Sequence, residues 1–128
     1  MQTFLHYSLH FLFPVFIALV FFKKNWKNVY FILLATMLVD VDHLFANPIF
    51  QANRCSINFH FLHSYYAIIF YVCLLFFRKP FYIIGIGLLF HIATDFLDCV
   101  LMYSNCNVCL EGAPALSLLK AVSRIFGF

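Results

Sequence analysis

Ten side chains in this sequence could hold a metal ion or work beside one. They are all six histidines, His6, His10, His43, His60, His63 and His91, and four of the five acidic residues, Asp40, Asp42, Asp95 and Asp98. Neutral imidazole together with carboxylate is a ligand set for zinc, iron or manganese. The spacing is helical: His6 and His10 are four residues apart, His60 and His63 three apart, and His91, Asp95 and Asp98 stand at i, i+4 and i+7. Each set therefore shares one face of a helix. Asp40 and His43 share a face as well, whereas Asp42 points elsewhere unless the helix is already unwinding. We read all of these except Asp98 as metal ligands, and Asp98 and Asp40 as the carboxylates that could accept a proton from water.

The elements that must position these groups follow from composition. Of 128 residues, 65% are hydrophobic, 21% aromatic and only 10% charged. A soluble domain carries about 25% charged residues because its surface must face water, so this composition describes a membrane protein. Residues 1–22 and 55–77 contain no Asp, Glu, Lys or Arg, and about 20 apolar residues in a helix cross a bilayer core of ~30 Å. The sequence predicts an all-α integral membrane four-helix bundle, with spans Thr3–Phe22, Asn28–Ala46, Phe61–Phe77 and Phe81–Tyr103. Residues 1–103 form the metal-binding domain. Residues 104–128 form a tail whose stretch Ala115–Phe126 reads as a short interfacial amphipathic helix. The apolar runs are continuous and do not alternate as barrel strands do. A net charge of +3 from eight Lys and Arg is too thinly spread for a nucleic-acid footprint, so nucleic acid is not an expected partner.

Five of the eight Lys and Arg lie in the first and third connections, Lys23-Lys24-Asn25-Trp26-Lys27 and Arg78-Lys79-Pro80. The positive-inside rule puts that side in the cytoplasm, despite Arg54, Lys120 and Arg124 on the other. Both termini, the middle loop and the metal site would then face the periplasm from a bacterial inner membrane. The first span shows no cleavable signal-peptide pattern. On the outward side Cys55, Cys99, Cys106 and Cys109 are free to form disulfides; Cys106-x-x-Cys109 alone is a weak zinc signal. An up-down-up-down order places the starts of helices one and three beside the ends of helices two and four. All ten groups then meet at one end, opposite the basic turns. A lone intramembrane His is ordinarily a hydrogen-bonder between helices, and the ten together could form a structural polar network. Their convergence favours metal, and nine candidate ligands exceed the four of one tetrahedral ion, so two or more divalent ions are expected, zinc first, manganese or iron next.

The motif order resembles that of the YdjM-like membrane-bound metal-dependent hydrolases. The motifs are His6 near the N-terminus, Asp40-Val41-Asp42-His43, His60-x-x-His63-Ser64 and His91-x-x-x-Asp95. More narrowly, His6-Tyr7-Ser8-Leu9-His10 and Asn53-Arg54-Cys55-Ser56 look like a small bacterial branch of that group. The resemblance spans about residues 6–99. It implies a helical fold distantly similar to zinc-dependent phospholipase C and the P1-type nucleases, in which His and Asp side chains hold a cluster of zinc ions. The larger family usually has Arg after the first His of the third motif and Thr before the second, where this chain has Phe61 and Leu62. Arg54 then becomes the expected phosphate contact, because its planar fork can bind two oxygens at once.

Three functional classes fit these residues. A hydrolase acting on a lipid phosphoester ranks first, since clustered divalent ions activate water and hold phosphoryl oxygens. Its partner would be a membrane lipid. A metal-ion or proton transporter, or a non-catalytic metal-binding membrane protein, ranks second. A di-iron lipid oxidase ranks third, because six histidines are few for its histidine boxes and the aspartate motifs are foreign to it. A bis-His haem would leave Asp40, Asp42 and Asp95 unexplained.

Overall fold

The computed structural model describes residues 2–49, 51 and 53–127, and those residues are all-helical or irregular, with no strand among them. Helix α1 covers Gln2–Phe21. Pro14 lies inside it and cannot donate to the carbonyl four residues back, that of His10. After the turn Lys23–Asn25, α2 covers Trp26–Ala35 and continues as a tighter 3-10 helix through Thr36–Phe45. A single 3-10 turn, Phe61–His63, precedes α3, Tyr65–Leu74. Ser64 caps α3, its hydroxyl accepting from the Ala67 N–H at 3.3 Å. Helix α4, Phe81–Asn105, is the longest, and α5 covers Leu116–Phe126.

Two of the expected elements differ from expectation. The third is shorter than Phe61–Phe77: its ends at 61–64 and 75–77 are turns, leaving ten helical residues. At 1.5 Å per residue, ten residues span about 15 Å, half a bilayer core. The second does not remain α-helical to Ala46, for its last ten residues are wound as 3-10. Such runs seldom exceed three or four residues, and in mid-helix they often mark functional positions. Here the run carries Asp40, Asp42 and His43. Two helical runs, Lys23–Phe45 and Phe81–Asn105, are long and apolar enough to cross a membrane.

Helix α4 is the centre of the packing: α1, α2 and α3 all lie against it, and α1 also packs on α2. Close approach is possible because α4 is bare at Gly85 and Gly87. A Cβ at Gly87 would stand 2.6 Å from Thr36 Oγ1, and one at Gly85 would stand 3.0 Å from the Tyr71 carbonyl oxygen. Small residues serve this purpose wherever helices must touch without a hydrophobic driving force. The tail is not separate from the rest. Leu110, Ala115 and Leu119 are buried in one cluster with Cys55 and Cys99, and α5 packs on α4.

Beside its apolar core the chain buries charged and polar groups and exposes large apolar ones. His10, His63, His91 and Asp95 are buried, while Phe4, Phe21, Phe45, Phe61 and Phe76 are exposed. Apolar side chains outside and polar groups inside suit a lipid solvent, where intramembrane ionisable groups face the bundle interior.

Candidate metal centre

The structure brings the ten sequence-identified groups to one end of the helices. They form three linked sets: Asp40, His63, His91 and Asp95; His6, His10 and Asp95; and Asp42, His43 and His60. Asp98 lies against His6, its Oδ2 in contact with His6 Nδ1. The basic turns sit at the opposite end. Lys79 Nζ lies 5.6 Å from the Phe22 ring centre and 6.0 Å from that of Tyr82, joining the first and third connections.

Hydrogen bonds settle which ring nitrogen faces inward. His10 Nδ1 is 3.0 Å from the His6 carbonyl oxygen, which can only accept, so Nδ1–H donates and Nε2 keeps its lone pair. His63 Nδ1–H likewise donates to Asp42 Oδ2 at 3.1 Å. His91 Nδ1–H donates to the weakly accepting sulfur of Met37 at 3.4 Å. Three Nε2 lone pairs therefore point at one small volume that also holds the Asp95 carboxylate. Buried imidazole fixed in this way by a carboxylate or carbonyl is the arrangement that orients histidine ligands of metals.

The first set has the dimensions of a tetrahedral site. His63 Nε2 is 3.2 Å from His91 Nε2, 3.0 Å from Asp95 Oδ2 and 3.6 Å from Asp40 Oδ1. His91 Nε2 is 3.1 Å from Asp40 Oδ1 and 3.5 Å from Asp95 Oδ2. An ion with ligand distances of about 2.0–2.1 Å spaces tetrahedral ligand atoms by about 3.3 Å. Two lone pairs facing each other at 3.2 Å repel unless a cation lies between them. His63 and His91 are fully buried and Asp95 nearly so, whereas the Asp40 side chain is 43% exposed. Asp40 is thus the open edge.

The second set shares Asp95 with the first. Asp95 Oδ1 faces His10 Nε2 at 3.7 Å while Oδ2 faces His63 and His91, so one carboxylate is presented to two groups of histidines. His10 Nε2 is buried without a hydrogen-bond partner among the described residues. An unsatisfied buried polar atom costs about 1–3 kcal/mol, and a second cation would remove that cost. In the third set His43 stacks on His60 at 3.9 Å between ring centres. His43 Nδ1 is 3.1 Å from Asp42 Oδ1, and its Nε2 is 3.1 Å from Ser56 Oγ. Burial first, then the neighbouring His43, pushes His60 down to about 4, which keeps its imidazole neutral with a lone pair to offer. Its Nε2 is also buried and without a hydrogen-bond partner among the described residues.

Three of the sequence-identified residues make further contacts. Besides its place in the third set, Asp42 is a support: Oδ2 accepts from His63 Nδ1–H and from the Leu62 N–H at 2.7 Å, which locks the turn Phe61–His63 against the end of the second helix. The 3-10 winding advances 120° per residue, which eclipses Asp40 with His43 and leaves Asp42 on another face, where it meets this turn. Asp98 contacts His6, a member of the second set. Arg54 has its fork on the loop, with Nη1 and Nη2 each donating at 2.5 Å to the carbonyls of Pro48 and Ile49, and its plane 5.1 Å from the Phe59 ring. It acts on the cluster as a nearby positive charge, not as a fork aimed into it.

Sequence reasoning missed Ser56, Met37 and Tyr71, which donates from its hydroxyl to the Leu62 carbonyl at 2.9 Å. None is ionised or regularly spaced with the ligands, so no periodic signal marks them. The cysteines pair as Cys55–Cys99 and Cys106–Cys109, and Cys73 is free. The first bridge ties the loop bearing Ser56 and His60 to α4 one turn beyond Asp95. The second takes Cys106-x-x-Cys109 out of consideration as a thiolate site.

Residues 1–102 match a family of unknown function, DUF6122, and the chain belongs to that family. No curated protein matches the chain, and no solved structure does.

Proposed function

We propose that this protein is a multi-pass membrane enzyme, a metal-dependent hydrolase of a lipid phosphoester, built as a four-helix membrane bundle with the metal centre at its outward end. The observation that carries the reading is the group of Asp40, His63, His91 and Asp95, buried at His63, His91 and Asp95 and exposed at Asp40. A divalent ion held there, zinc by preference, supplies Lewis acidity toward a phosphoryl oxygen and toward water. Asp95 joins this set to His6 and His10, which supports a second ion. Asp42 and Asp98 orient His63 and His6. With His63, His91 and Asp95 holding the ion, the exposed Asp40 at the fourth corner is the carboxylate that would accept a proton from water there. The motif order shared with YdjM-like hydrolases supports the same class. The outward, oxidising location of the centre is supported by the two disulfides beside it and by the basic turns opposite.

The test is to incubate metal-loaded protein in detergent with a panel of phospholipids and lipid phosphates and to follow phosphate or headgroup release. Release abolished by EDTA and by Asp95→Asn is the expected result. No turnover across the panel, together with metal flux in proteoliposomes, would replace the hydrolase with a transporter.

A further inference from the structure

Helices α2 and α3 both rest on α4 and leave a furrow between them. This groove, about 480 Å³, is lined by Thr36, Val39, Leu62, Tyr71 and Leu88 among others. A second groove of about 530 Å³ runs along the outer side of α3, lined by Phe61, Leu62, Ser64, Ala67 and Tyr71 among others. Both linings are almost wholly apolar, and the exposed Phe61 and Phe70 lie on the second. They share two residues, Leu62 and Tyr71. Leu62 is the wall between them, and its backbone is held at both ends: the N–H by Asp42 Oδ2 at 2.7 Å and the carbonyl by the Tyr71 hydroxyl at 2.9 Å.

The grooves converge on the metal centre. Val39 adjoins Asp40, Leu62 adjoins His63, and Leu88 lies one turn before His91 on the same side of α4. The grooves meet at Leu62 and Tyr71, and Leu62 is the chain neighbour of the ligand-set residue His63. A molecule fitting this shape has one polar, anionic head for the cation-binding end and two separate apolar chains, one on each side of Leu62. We infer that the lipid acted on carries two chains seated in these two grooves, a diacyl glycerophospholipid with an anionic phosphate head. This rests on the hydrolase reading and narrows its substrate.

Chain-dependent binding is measurable without turnover. The purified protein, EDTA-treated to stop hydrolysis and then untreated, is incubated with dioleoyl phosphatidate, single-chain oleoyl lysophosphatidate or a polyprenyl phosphate. Retained lipid is counted by native mass spectrometry. The expected result is retention of dioleoyl phosphatidate about tenfold above either single-chain lipid, a difference of about 1.4 kcal/mol. Ala35→Phe fills the first groove from an exposed position, and Ala67→Leu narrows the second. Each is expected to bring dioleoyl phosphatidate down to the single-chain level while metal content stays unchanged. Ala121→Phe, on α5 outside both grooves, is expected to change nothing. Equal retention of the single-chain lipids, or unaltered retention in both groove variants, would overturn the inference. Failure of the hydrolase reading looks different: the two-chain preference persists, but the metal-loaded protein releases no phosphate.

Discussion

At the residue scale, Asp95 is the group on which the centre depends, because its two oxygens address different histidines: His10 on one side, His63 and His91 on the other. Asp95→Asn keeps the shape but removes the negative charge and replaces one acceptor oxygen by an NH2 donor, so elemental analysis of the purified variant should show loss from both sets. Asp98→Asn removes the carboxylate charge beside His6 and should lower metal content less. Equal loss in the two variants would contradict the shared-carboxylate geometry. Asp42→Asn tests support without ligation of the first set. With the His63 Nδ1–H no longer held by a full carboxylate charge, metal affinity should fall about 10–100-fold, the cost usual for removing an outer partner of a ligating histidine. Titration with a competing chelator measures this directly.

At the scale of elements, the contact between α4 and the start of the 3-10 segment is tight enough to be tested by one methyl group. Thr36 Oγ1 donates to the Leu33 carbonyl at 2.6 Å, and a Cβ on Gly87 would sit 2.6 Å from that oxygen and 2.8 Å from Cγ2. Thr36 cannot swing away without losing its bond or meeting Leu33. Gly87→Ala should therefore destabilise the protein by about 1–3 kcal/mol, as overpacking does. Thr36→Ala removes both obstructing atoms, so Gly87→Ala should cost less in that background. A double-mutant cycle from thermal unfolding in detergent checks the coupling, and strictly additive losses would show that the two residues do not meet. The same contact starts the segment that delivers Asp40 and His43, so Gly87→Ala should also lower metal content.

At the scale of the whole molecule, charge is segregated along the bundle. All five acidic residues lie at the metal end or in the tail, and five of eight basic residues lie in the two turns at the other end. This separation and the disulfides lead to one topology prediction. With Cys73 replaced by Ser and the bridges reduced, an impermeant thiol reagent on intact cells should label Cys106 and Cys109. In a cysteine-free background, single cysteines placed at Lys24 or Lys79 should stay unlabelled until the cells are opened. The opposite pattern would turn the metal centre toward the cytoplasm.

Periodicity and alternation of helix direction were sufficient, from sequence alone, to bring His6, His10, Asp40, Asp42, His43, His60, His63, His91, Asp95 and Asp98 to one end. Those properties are local: a repeat near 3.6 residues assigns a face, and short basic turns reverse the chain. The all-helical class and the apolar exterior were determined in the same way, because a chain with so few charges must satisfy its backbone within its own helices. What only the tertiary structure decided is the division of labour within the cluster. Asp42 supports His63 because the turn Phe61–His63 packs against the end of the second helix, and Asp98 meets His6 because α1 lies along α4. Arg54 turns to the carbonyls of Pro48 and Ile49, and Cys55 is bonded to Cys99. Each of these outcomes depends on residues more than a helical turn apart in sequence, and that leaves no trace in the spacing of residue types along the chain.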